Sequence, residues 1–267
     1  MIPADSPLFT ASNRSFKWGD GVFETMKVHR GKILLEELHL ERLAASLTLL
    51  QMDASPFDVS LVRKQVLALC SQNDCTSLAR VRLGIYRIEG SACGYVIEAQ
   101  PALPEVNEWK EDFVIDMYPF ARKSMDAFAS LKSANFLPYV LAGLYAGEKG
   151  WDDAVVLNAA NKIADTSKAN IFYVRDQEFY TPALNQGCIN GVMRRFLVEN
   201  LHKHQFPVHQ VEVDEQDLMD ADEIFLTNAV YGMRGISRFR NKKFSSELSA
   251  SIYNKLVKPL FEDQTPA

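Results

Sequence analysis

The sequence lacks long hydrophobic runs, an excess of basic residues and an apolar leader. No apolar stretch in its 267 residues approaches the about 20 residues that cross a bilayer. The first ten residues contain Pro3, Asp5 and Pro7 where a signal sequence is apolar. The net charge of −5 provides no basic surface for nucleic acid or anionic lipid. We therefore expect a globular protein whose partners are small molecules, with neither nucleic acid nor membrane among them.

Cysteine is scarce, and its spacing argues against the common cysteine-based sites. The four cysteines, Cys70, Cys75, Cys93 and Cys188, form no CxxC pair and no zinc-binding spacing with the five histidines. Scattered cysteines in a chain without a leader are expected to be reduced. We therefore expect no metal site and a cytoplasmic location.

Several common enzyme motifs are also missing. The sequence has no GxGxxG at the start of a βαβ unit, no P-loop, no HExxH and no GxSxG. Nucleotide-dependent, zinc-dependent and serine-hydrolase chemistry therefore have no motif in this chain.

Hydrophobic periodicity predicts a mixed α/β (α+β) fold. Residues 78–86 alternate between apolar and polar side chains, as in a half-buried strand, whereas 35–52 carry leucines at helical spacing. The irregular stretch 119–130 is the best candidate for a linker. We therefore expect an N-terminal α/β domain over 1–118, a linker over 119–130 and a C-terminal domain over 131–267.

Lys132 is the first candidate for catalysis. It precedes an apolar run whose helical spacing predicts a buried helix, formed by Leu137, Val140, Leu141, Leu144 and Tyr145. Desolvation at the mouth of such a helix disfavours the ammonium form, and a neutral amine is the nucleophile of Schiff-base chemistry. The alternative is a solvated surface lysine, which is the more common case.

Three further features suggest an acid, an anion site and a cation. Asp165 lies within a predicted strand pair, where aspartate is depleted, unless it is an edge or turn carboxylate. Asn190 is a candidate N-cap of a helix predicted from Val192, and free N–H groups at a helix start bind phosphate, although a capped helix without a ligand is common. Arg42 lies on an early predicted helix, where a solvated arginine is the alternative. Pyridoxal phosphate requires an amine, a carboxylate and an anion site.

Six segments, taken in chain order, resemble the class-IV, fold-type-IV pyridoxal-phosphate enzymes. That family includes branched-chain and D-amino-acid aminotransferases and 4-amino-4-deoxychorismate lyase. The segments are GDGVFET (19–25), HLERL (39–43), LKSAN (131–135), ADTSKANIF (164–172), INGVMR (189–194) and ADEIFLTNA (221–229). Their order and separations are family-like and span nearly the whole chain. The resemblance implies a two-domain fold with the cofactor between the domains, and a homodimer.

The resemblance also assigns roles to individual residues. Lys132 corresponds to the lysine that forms the Schiff base and later moves a proton, Arg42 to the phosphate-binding arginine, and Asp165 to the acid that holds the pyridine nitrogen. The remaining assignments are a phosphate loop that acts through backbone N–H groups, Gly191, Val192 and Met193; a second loop near the phosphate, Asn228 and Ala229; and walls of the substrate pocket, Trp18 and Phe23.

The residues that bind the rest of the substrate are less well defined. Tyr95, next to Gly94, is a candidate for the pocket rim. Tyr95, Arg82, Arg87 and Arg234 are candidates for binding a substrate carboxylate, and the sequence does not rank them.

Three residues depart from the family pattern. Asp165 replaces the usual glutamate, so its shorter arm must sit closer to the ring or act through a water. Phe136, four residues after Lys132, cannot supply the hydroxyl that a tyrosine gives the cofactor in branched-chain aminotransferases. Lys168, where small hydroxyl residues are common, is either a surface charge or a second cation near the cofactor.

Two reactions share these cofactor residues. We favour an aminotransferase, which moves an amino group between an amino acid and a 2-oxo acid, because that class is broader and Phe23-Glu24-Thr25 is its common spelling. The alternative is 4-amino-4-deoxychorismate lyase, which forms 4-aminobenzoate and pyruvate for folate synthesis; Asn228-Ala229 and the compact length favour it. A third hypothesis is a non-catalytic binding protein, against which Lys132 and Arg42 argue.

Overall fold

The chain forms two compact units. The structure, a computed structural model, describes residues 6–53, 55 and 58–262, so residues 1–5 of the N-terminal stretch considered above lie outside the described part. The first unit comprises Met1–Val106 with Leu131–Asn135, and the second comprises Asn107–Ser130 with Phe136–Ala267.

The first unit is a four-stranded antiparallel sheet with two helices on one face. Its elements are α1 (Arg14–Trp18), β1 (Gly21–His29), β2 (Lys32–Ile33), α2 (Glu36–Leu49), α3 (Val59–Gln72), β3 (Leu78–Arg87) and β4 (Cys93–Pro101). The strand order is β2-β1-β3-β4. Alternate residues of β3 are buried in a core shared with α2 and α3, namely Ala79, Val81, Leu83 and Ile85. This alternation confirms the half-buried strand predicted over 78–86.

The second unit is built on a nine-stranded mixed sheet. Its strands are β5 (Phe113–Lys123), β6 (Asp153–Asn158), β7 (Ile163–Thr166), β8 (Asn170–Arg175), β9 (Glu178–Pro182), β10 (Val208–Val211), β11 (Glu223–Asn228), β12 (Gly232–Phe239) and β13 (Lys242–Lys243). The strand order is β10-β9-β8-β11-β12-β5-β6-β7, with β13 beside β12. Strand β5 is parallel to both of its neighbours, and β9 is parallel to β10.

Helices and short turns complete the second unit. Its helices are α4 (Leu137–Lys149), α5 (Val192–Lys203), α6 (Glu215–Asp220) and α7 (Glu247–Ile252). One turn of π-helix, Tyr253–Val257, follows α7, and short 3-10 turns lie at Pro104–Asn107, Leu184–Gln186 and Lys258–Leu260. Helix α4 packs on β6 through Tyr139, Ala142 and Ala146, which are buried with Ala154 and Val156. The lysine segment is thus followed by a helix, as predicted. The expectation that its apolar run is buried is wrong, because α4 buries Tyr139, Ala142 and Ala146 and leaves four members of the run 41–66% exposed: Leu137, Val140, Leu141 and Leu144.

The unit boundaries differ from the expected boundaries at 118 and 131. Strand β5 runs through Lys123, so part of the expected linker is strand in the second unit. The pairing of β5 with β6 is interrupted between Met117 and Arg122. Pro119 has no N–H for the ladder, which explains why this stretch is irregular in the sequence. Segment Leu131–Asn135 belongs to the first unit because it pairs with β1.

Neither a membrane span nor a metal cluster is found in the described residues. Across 6–53, 55 and 58–262, no helix has the length and hydrophobicity that a bilayer crossing needs. The same part of the chain holds no group of three or more histidine, cysteine, aspartate or glutamate side chains placed to bind a metal ion. The thiols of Cys70, Cys75, Cys93 and Cys188 are all free.

Candidate active site

Lys132 is held against β1 by backbone pairing. The Phe23 N–H donates to the Lys132 carbonyl oxygen at 2.9 Å. Two residues further on, the Ala134 N–H donates to the Gly21 carbonyl oxygen at 2.8 Å. The half-buried Lys132 side chain extends over the Phe23 ring, with Nζ 4.6 Å from the ring centre. The structure therefore brings Lys132 together with Phe23, one of the two predicted pocket walls.

The Gly19-Asp20-Gly21 turn packs against the lysine segment. Gly19 has a φ of +67°, and a Cβ built there lies 2.2 Å from Asn135 Oδ1. Both the backbone conformation and the close approach therefore require glycine. Trp18, the last residue of α1, is 59% exposed and has the Arg14 guanidinium 4.8 Å from its ring centre. The Lys17 Nζ lies 5.4 Å from the same ring centre, so the exposed Trp18 ring is contacted by two cations.

Arg82 shares the Phe23 ring with Lys132. Its guanidinium carbon lies 4.5 Å from the ring centre, and Lys132 Nζ lies 4.6 Å from it. Phe23 and Arg82 project from the sheet face opposite α2 and α3. Their chain neighbours Val22 and Val81 belong to the core on the helix side, and successive strand residues point to opposite faces. Among the candidate carboxylate binders, Arg82 thus contacts the same ring as the catalytic candidate.

The other three candidate carboxylate binders have partners elsewhere. The Tyr95 hydroxyl donates to Gln65 Oε1 on α3 at 2.8 Å, so Tyr95 lies on the helix-covered face and not with Phe23. Arg87 binds the Asp20 carboxylate and donates to the Leu50 carbonyl oxygen at 2.6 Å. Arg234, in the second unit, is buried and donates to the Glu108 carbonyl oxygen at 2.6 Å. Each of these side chains has a structural contact that the sequence did not show.

Arg42 lies in a buried ion pair. Its Nε donates to Glu24 Oε1 at 2.8 Å, a terminal nitrogen donates to Glu24 Oε2, and His39 Nδ1 lies 2.7 Å from Glu24 Oε2. Burial alone would raise the pKa of Glu24, but the Arg42 charge and the hydrogen bonds from His39 and Arg42 hold it at about 2. The alternative of a solvated arginine is wrong, because only 9% of the Arg42 side chain is exposed.

Asp165 is the centre of a buried cluster in the second unit. Its Oδ2 accepts from the Tyr139 hydroxyl at 2.7 Å and from the Ile189 N–H at 2.8 Å, and its Oδ1 accepts from Asn170 Nδ2 at 2.6 Å. Burial raises the pKa of Asp165, while the nearby Lys123 charge and these hydrogen bonds oppose the rise. Asp165 lies in β7, the last strand of the sheet, as the alternative of an edge-strand carboxylate requires, but it is buried, with 2% of its surface exposed.

The Asp165 cluster fixes the start of α5. Asn170 Nδ2 also donates to the Ile189 carbonyl oxygen at 2.8 Å, so one amide ties the carboxylate to the loop before the helix. A Cβ built at Gly191 lies 1.9 Å from Asn170 Oδ1, so only glycine fits there as placed. Gly191, and not the predicted Asn190, is the N-cap, and no side chain caps the helix. The first N–H groups of α5, beginning at Val192 and Met193, therefore suit an anion.

The loop after β11 is held by Asn228. Its Oδ1 accepts from the Val230 N–H at 2.9 Å and the Tyr231 N–H at 3.0 Å, and its Nδ2 donates to the Lys168 carbonyl oxygen at 3.2 Å. Asn228 thus joins this loop, with Ala229 in it, to the turn between β7 and β8. The Lys168 side chain is exposed, and its Nζ lies 3.4 Å from the Asp152 carbonyl oxygen. This position agrees with the interpretation of Lys168 as a surface charge.

Several residues of these clusters were missed in the sequence. Phe136 has no hydroxyl, but Tyr139, one helical turn later, supplies one to Asp165, and the two rings lie 4.5 Å apart. The i, i+3 spacing of two aromatic residues was the available signal. The sequence carries no signal for the other two contacts to Asp165. Asn170 reaches Asp165 across a turn, and Lys123 reaches it through the pairing of strands.

These groups fit pyridoxal phosphate. In the first unit, Lys132 would offer an amine to the aldehyde. In the second unit, the buried Asp165 carboxylate would suit a protonated ring nitrogen, and the α5 start at Gly191 would offer N–H groups to a phosphate without a Cβ in the way. A mixed α/β fold that carries these groups is what is expected of a fold-type-IV pyridoxal-phosphate enzyme.

The chain belongs to the amino-transferase class IV family, whose family model matches residues 21–239. It is 30% identical over 246 residues to an aminodeoxychorismate lyase of Vibrio harveyi, which covers 86% of this chain and 88% of that protein. It is 22% identical over 276 residues to a D-alanine aminotransferase of Listeria monocytogenes, with 100% and 94% covered.

A solved structure confirms the expected fold. A branched-chain aminotransferase of Thermoproteus uzoniensis superimposes with a TM-score of 0.84 at 22% identity, over 98% of this chain and 93% of that one. Together with family membership, this confirms the resemblance found in the sequence. The protein is a pyridoxal-phosphate-dependent enzyme.

Proposed function

We propose that this enzyme is a lyase that converts aminodeoxychorismate into 4-aminobenzoate and pyruvate. The observation that carries this choice is the 30% identity to the Vibrio harveyi aminodeoxychorismate lyase over 86% of the chain, against 22% for the D-alanine aminotransferase. In the sequence, the breadth of the class and the Phe23-Glu24-Thr25 spelling favour an aminotransferase, and the higher identity to a lyase outweighs both reasons.

The bound cofactor supplies an aldehyde that captures an amine and a ring that takes up electron density from the substrate. Lys132 is proposed to hold the cofactor and to move a proton at the substrate. Its pairing with β1 supports this role, because a backbone fixed at Phe23 and Gly21 limits where the amine can reach. Phe23, under the amine, is proposed as a wall of the substrate pocket, with the exposed Trp18 as a second wall.

Three groups of residues are proposed to orient the cofactor. Asp165 binds the ring nitrogen, which its burial and its bond to Asn170 support. The backbone N–H groups at Gly191, Val192 and Met193, and the loop of Asn228 and Ala229, bind the phosphate; the uncapped start of α5 supports the first of these. Arg42 is also proposed to bind the phosphate. Its pairing with Glu24 supports this role, because the pair fixes a buried and permanently charged guanidinium.

Arg82 is proposed to bind a carboxylate of the substrate. It lies on the Lys132 side of the sheet and shares the Phe23 ring. Arginine matches a carboxylate with two parallel N–H donors, which adds orientation to charge. Tyr95 is left out of the proposed pocket because its hydroxyl binds Gln65 on the helix side.

The second candidate function is an aminotransferase acting on an amino acid and a 2-oxo acid. The observation that favours it is the similarity to the D-alanine aminotransferase of Listeria monocytogenes, which is 22% identical over 276 residues. The cofactor-binding proposals above serve either reaction, so the residues that hold the cofactor do not separate the two.

A single half-reaction tests the choice. The protein is loaded with pyridoxal phosphate, and aminodeoxychorismate or individual D- and L-amino acids are added without a 2-oxo acid. A lyase consumes aminodeoxychorismate, accumulates pyruvate and recovers its original visible absorbance. If one amino acid instead converts the cofactor stoichiometrically into pyridoxamine phosphate and aminodeoxychorismate is inert, the lyase proposal is wrong and the donor identifies the transaminase substrate.

A homodimer is proposed as the assembled form, and cytoplasm as its location. The outer face of α4 carries exposed apolar side chains, including Leu137 at 64% and Leu144 at 66% exposure, a pattern typical of an interface. The four free thiols support a reducing compartment. Light scattering after size exclusion measures the mass, and Leu144→Glu should yield monomers if this face is the interface.

A further inference from the structure

Lys123 is a buried lysine beside Asp165. It ends β5, is 8% exposed, and places Nζ 3.6 Å from Asp165 Oδ2 and 5.2 Å from the centre of the Tyr139 ring. Among the described residues this amine has no hydrogen-bond partner. Its principal polar contact is therefore the ion pair with Asp165, at a distance slightly beyond a hydrogen bond.

The charges around this pair leave Lys123 as the main compensation for the Asp165 carboxylate. Burial raises the pKa of the Cys188 thiol to about 12 and the pKa of Tyr139 well above its ordinary range, so both groups are neutral. Asp126, in the loop after β5, is exposed. Burial also lowers the pKa of Lys123, and the Asp165 charge opposes this. Of the influences that lower the pKa of Asp165, the Lys123 charge is the largest.

We propose that Lys123 is a positioning residue that keeps Asp165 ionised, so that this short carboxylate can hold the protonated ring nitrogen of the cofactor. The inference rests on the proposed role of Asp165 in the function above. A carboxylate that is completely buried gains a proton unless a cation or several donors compensate it. A protonated Asp165 has lost the charge that attracts a ring N–H.

The hydrogen bonds around Asp165 leave room for this role. A carboxylate oxygen has two acceptor positions, and among the described residues Oδ1 accepts one hydrogen bond, from Asn170. Oδ2 accepts from Tyr139 and Ile189 and faces Lys123. Lys123 thus acts from the far side of the carboxylate, through Oδ2, and leaves the second position of Oδ1 for a further donor.

The test compares Lys123→Met, Lys123→Arg and the control Lys162→Met. Lys162 is a lysine on the surface, paired with Glu212 and Asp214. The protonation of Asp165 is followed in the cofactor-free protein by the carbon NMR signal of its carboxyl group, assigned with Asp165→Asn. A unit positive charge at this distance shifts a carboxyl pKa by about one to three units. Lys123→Met should therefore raise the Asp165 titration by that amount, and Lys123→Arg and Lys162→Met should leave it near the wild-type value.

Cofactor affinity gives the functional readout. From pH 8 to pH 6 the wild-type dissociation constant for pyridoxal phosphate should change little, whereas that of Lys123→Met should rise up to tenfold per pH unit below the raised titration. An unchanged Asp165 titration in Lys123→Met overturns the inference, even if the cofactor binds normally. If the wild type itself binds no cofactor, the proposed function fails, while the titration still reports on the pair. If Lys123→Met does not fold, the wild type provides the test. The carbon NMR signal of Lys123 Cε should then shift as Asp165 is protonated, and a signal that stays constant refutes the coupling.

Discussion

Gly191→Ala tests whether the Asp165 cluster holds the start of α5. The backbone at Gly191 has φ −63° and ψ 137°, which alanine adopts without strain, so the cost comes from contact alone. The new Cβ lies 1.9 Å from Asn170 Oδ1, and Asn170 must move away from Asp165 and from the Ile189 carbonyl oxygen. A hydrogen bond to a charged group contributes about 1.5–3 kcal/mol and one to a neutral carbonyl about 0.5–1.5 kcal/mol. The expected loss of stability is therefore about 2–4 kcal/mol.

Thermal unfolding followed by circular dichroism measures this loss. A destabilisation of that size lowers Tm by on the order of 10 °C in a chain of this length. Gly147→Ala is the matched control, because Gly147 lies within α4 and a Cβ built there meets no described atom within 4 Å. Alanine in a helix interior is favoured over glycine by about 0.5–1 kcal/mol, so the control should melt slightly higher than the wild type.

A double-mutant cycle shows whether Asn170 is the cause. Asn170→Ala removes the amide that meets the new Cβ, so Gly191→Ala should cost almost nothing in that background. Costs that add would place the strain elsewhere. A Gly191→Ala protein that melts with the wild type would refute the reasoning altogether, since Asn170 would then leave its two partners without cost.

Two further predictions concern the first unit. Lys132→Ala should abolish turnover and the cofactor adduct that borohydride reduction traps on residue 132, and an intact adduct found by peptide mass spectrometry would remove Lys132 from the proposed role. Glu24 has a pKa of about 2 against an ordinary 4.5, and such a depressed pKa contributes stability that is present above pH 4.5 and is lost as the pH falls toward 2. Glu24→Gln should therefore lose about 3 kcal/mol less than the wild type between pH 4.5 and 2 in urea titrations, and parallel curves would show that the Arg42 pair contributes no net stability.

Local patterns predicted the elements that depend only on neighbouring residues. The alternation over 78–86 is borne out by β3, because its register puts every second residue in the core of the first unit. The same register could not be read from the sequence, and it decides the position of Tyr95. Tyr95 pairs with Ile85, a core residue, so its ring points toward α3 and its hydroxyl reaches Gln65.

The unit boundary near Lys132 depends on a contact between distant parts of the chain. A change from irregular sequence to helical spacing near 131 suggested a new domain, yet residues Leu131–Asn135 form a short extended partner for β1. Their hydrogen bonds reach Phe23 and Gly21, more than a hundred positions earlier in the chain. A segment of this length has no period of its own from which such pairing could be predicted.

The shortened acid at 165 and the lysine at 123 become one feature only when the sheet order is known. Strand β5 pairs with β6, which pairs with β7, so Lys123 lies beside Asn158 and Asp165 lies beside Val156, two residues away on the shared middle strand. In the sequence, Asp165 is a departure from the family pattern and Lys123 is a charge in a candidate linker. In the fold, Lys123 Nζ lies 3.6 Å from Asp165 Oδ2, the oxygen that also accepts hydrogen bonds from Tyr139 and Ile189. The negative charge of Asp165 is thus compensated by Lys123, a residue from another strand. The effect of having aspartate rather than the longer glutamate at position 165 can therefore be isolated only when positions 165 and 123 are altered together.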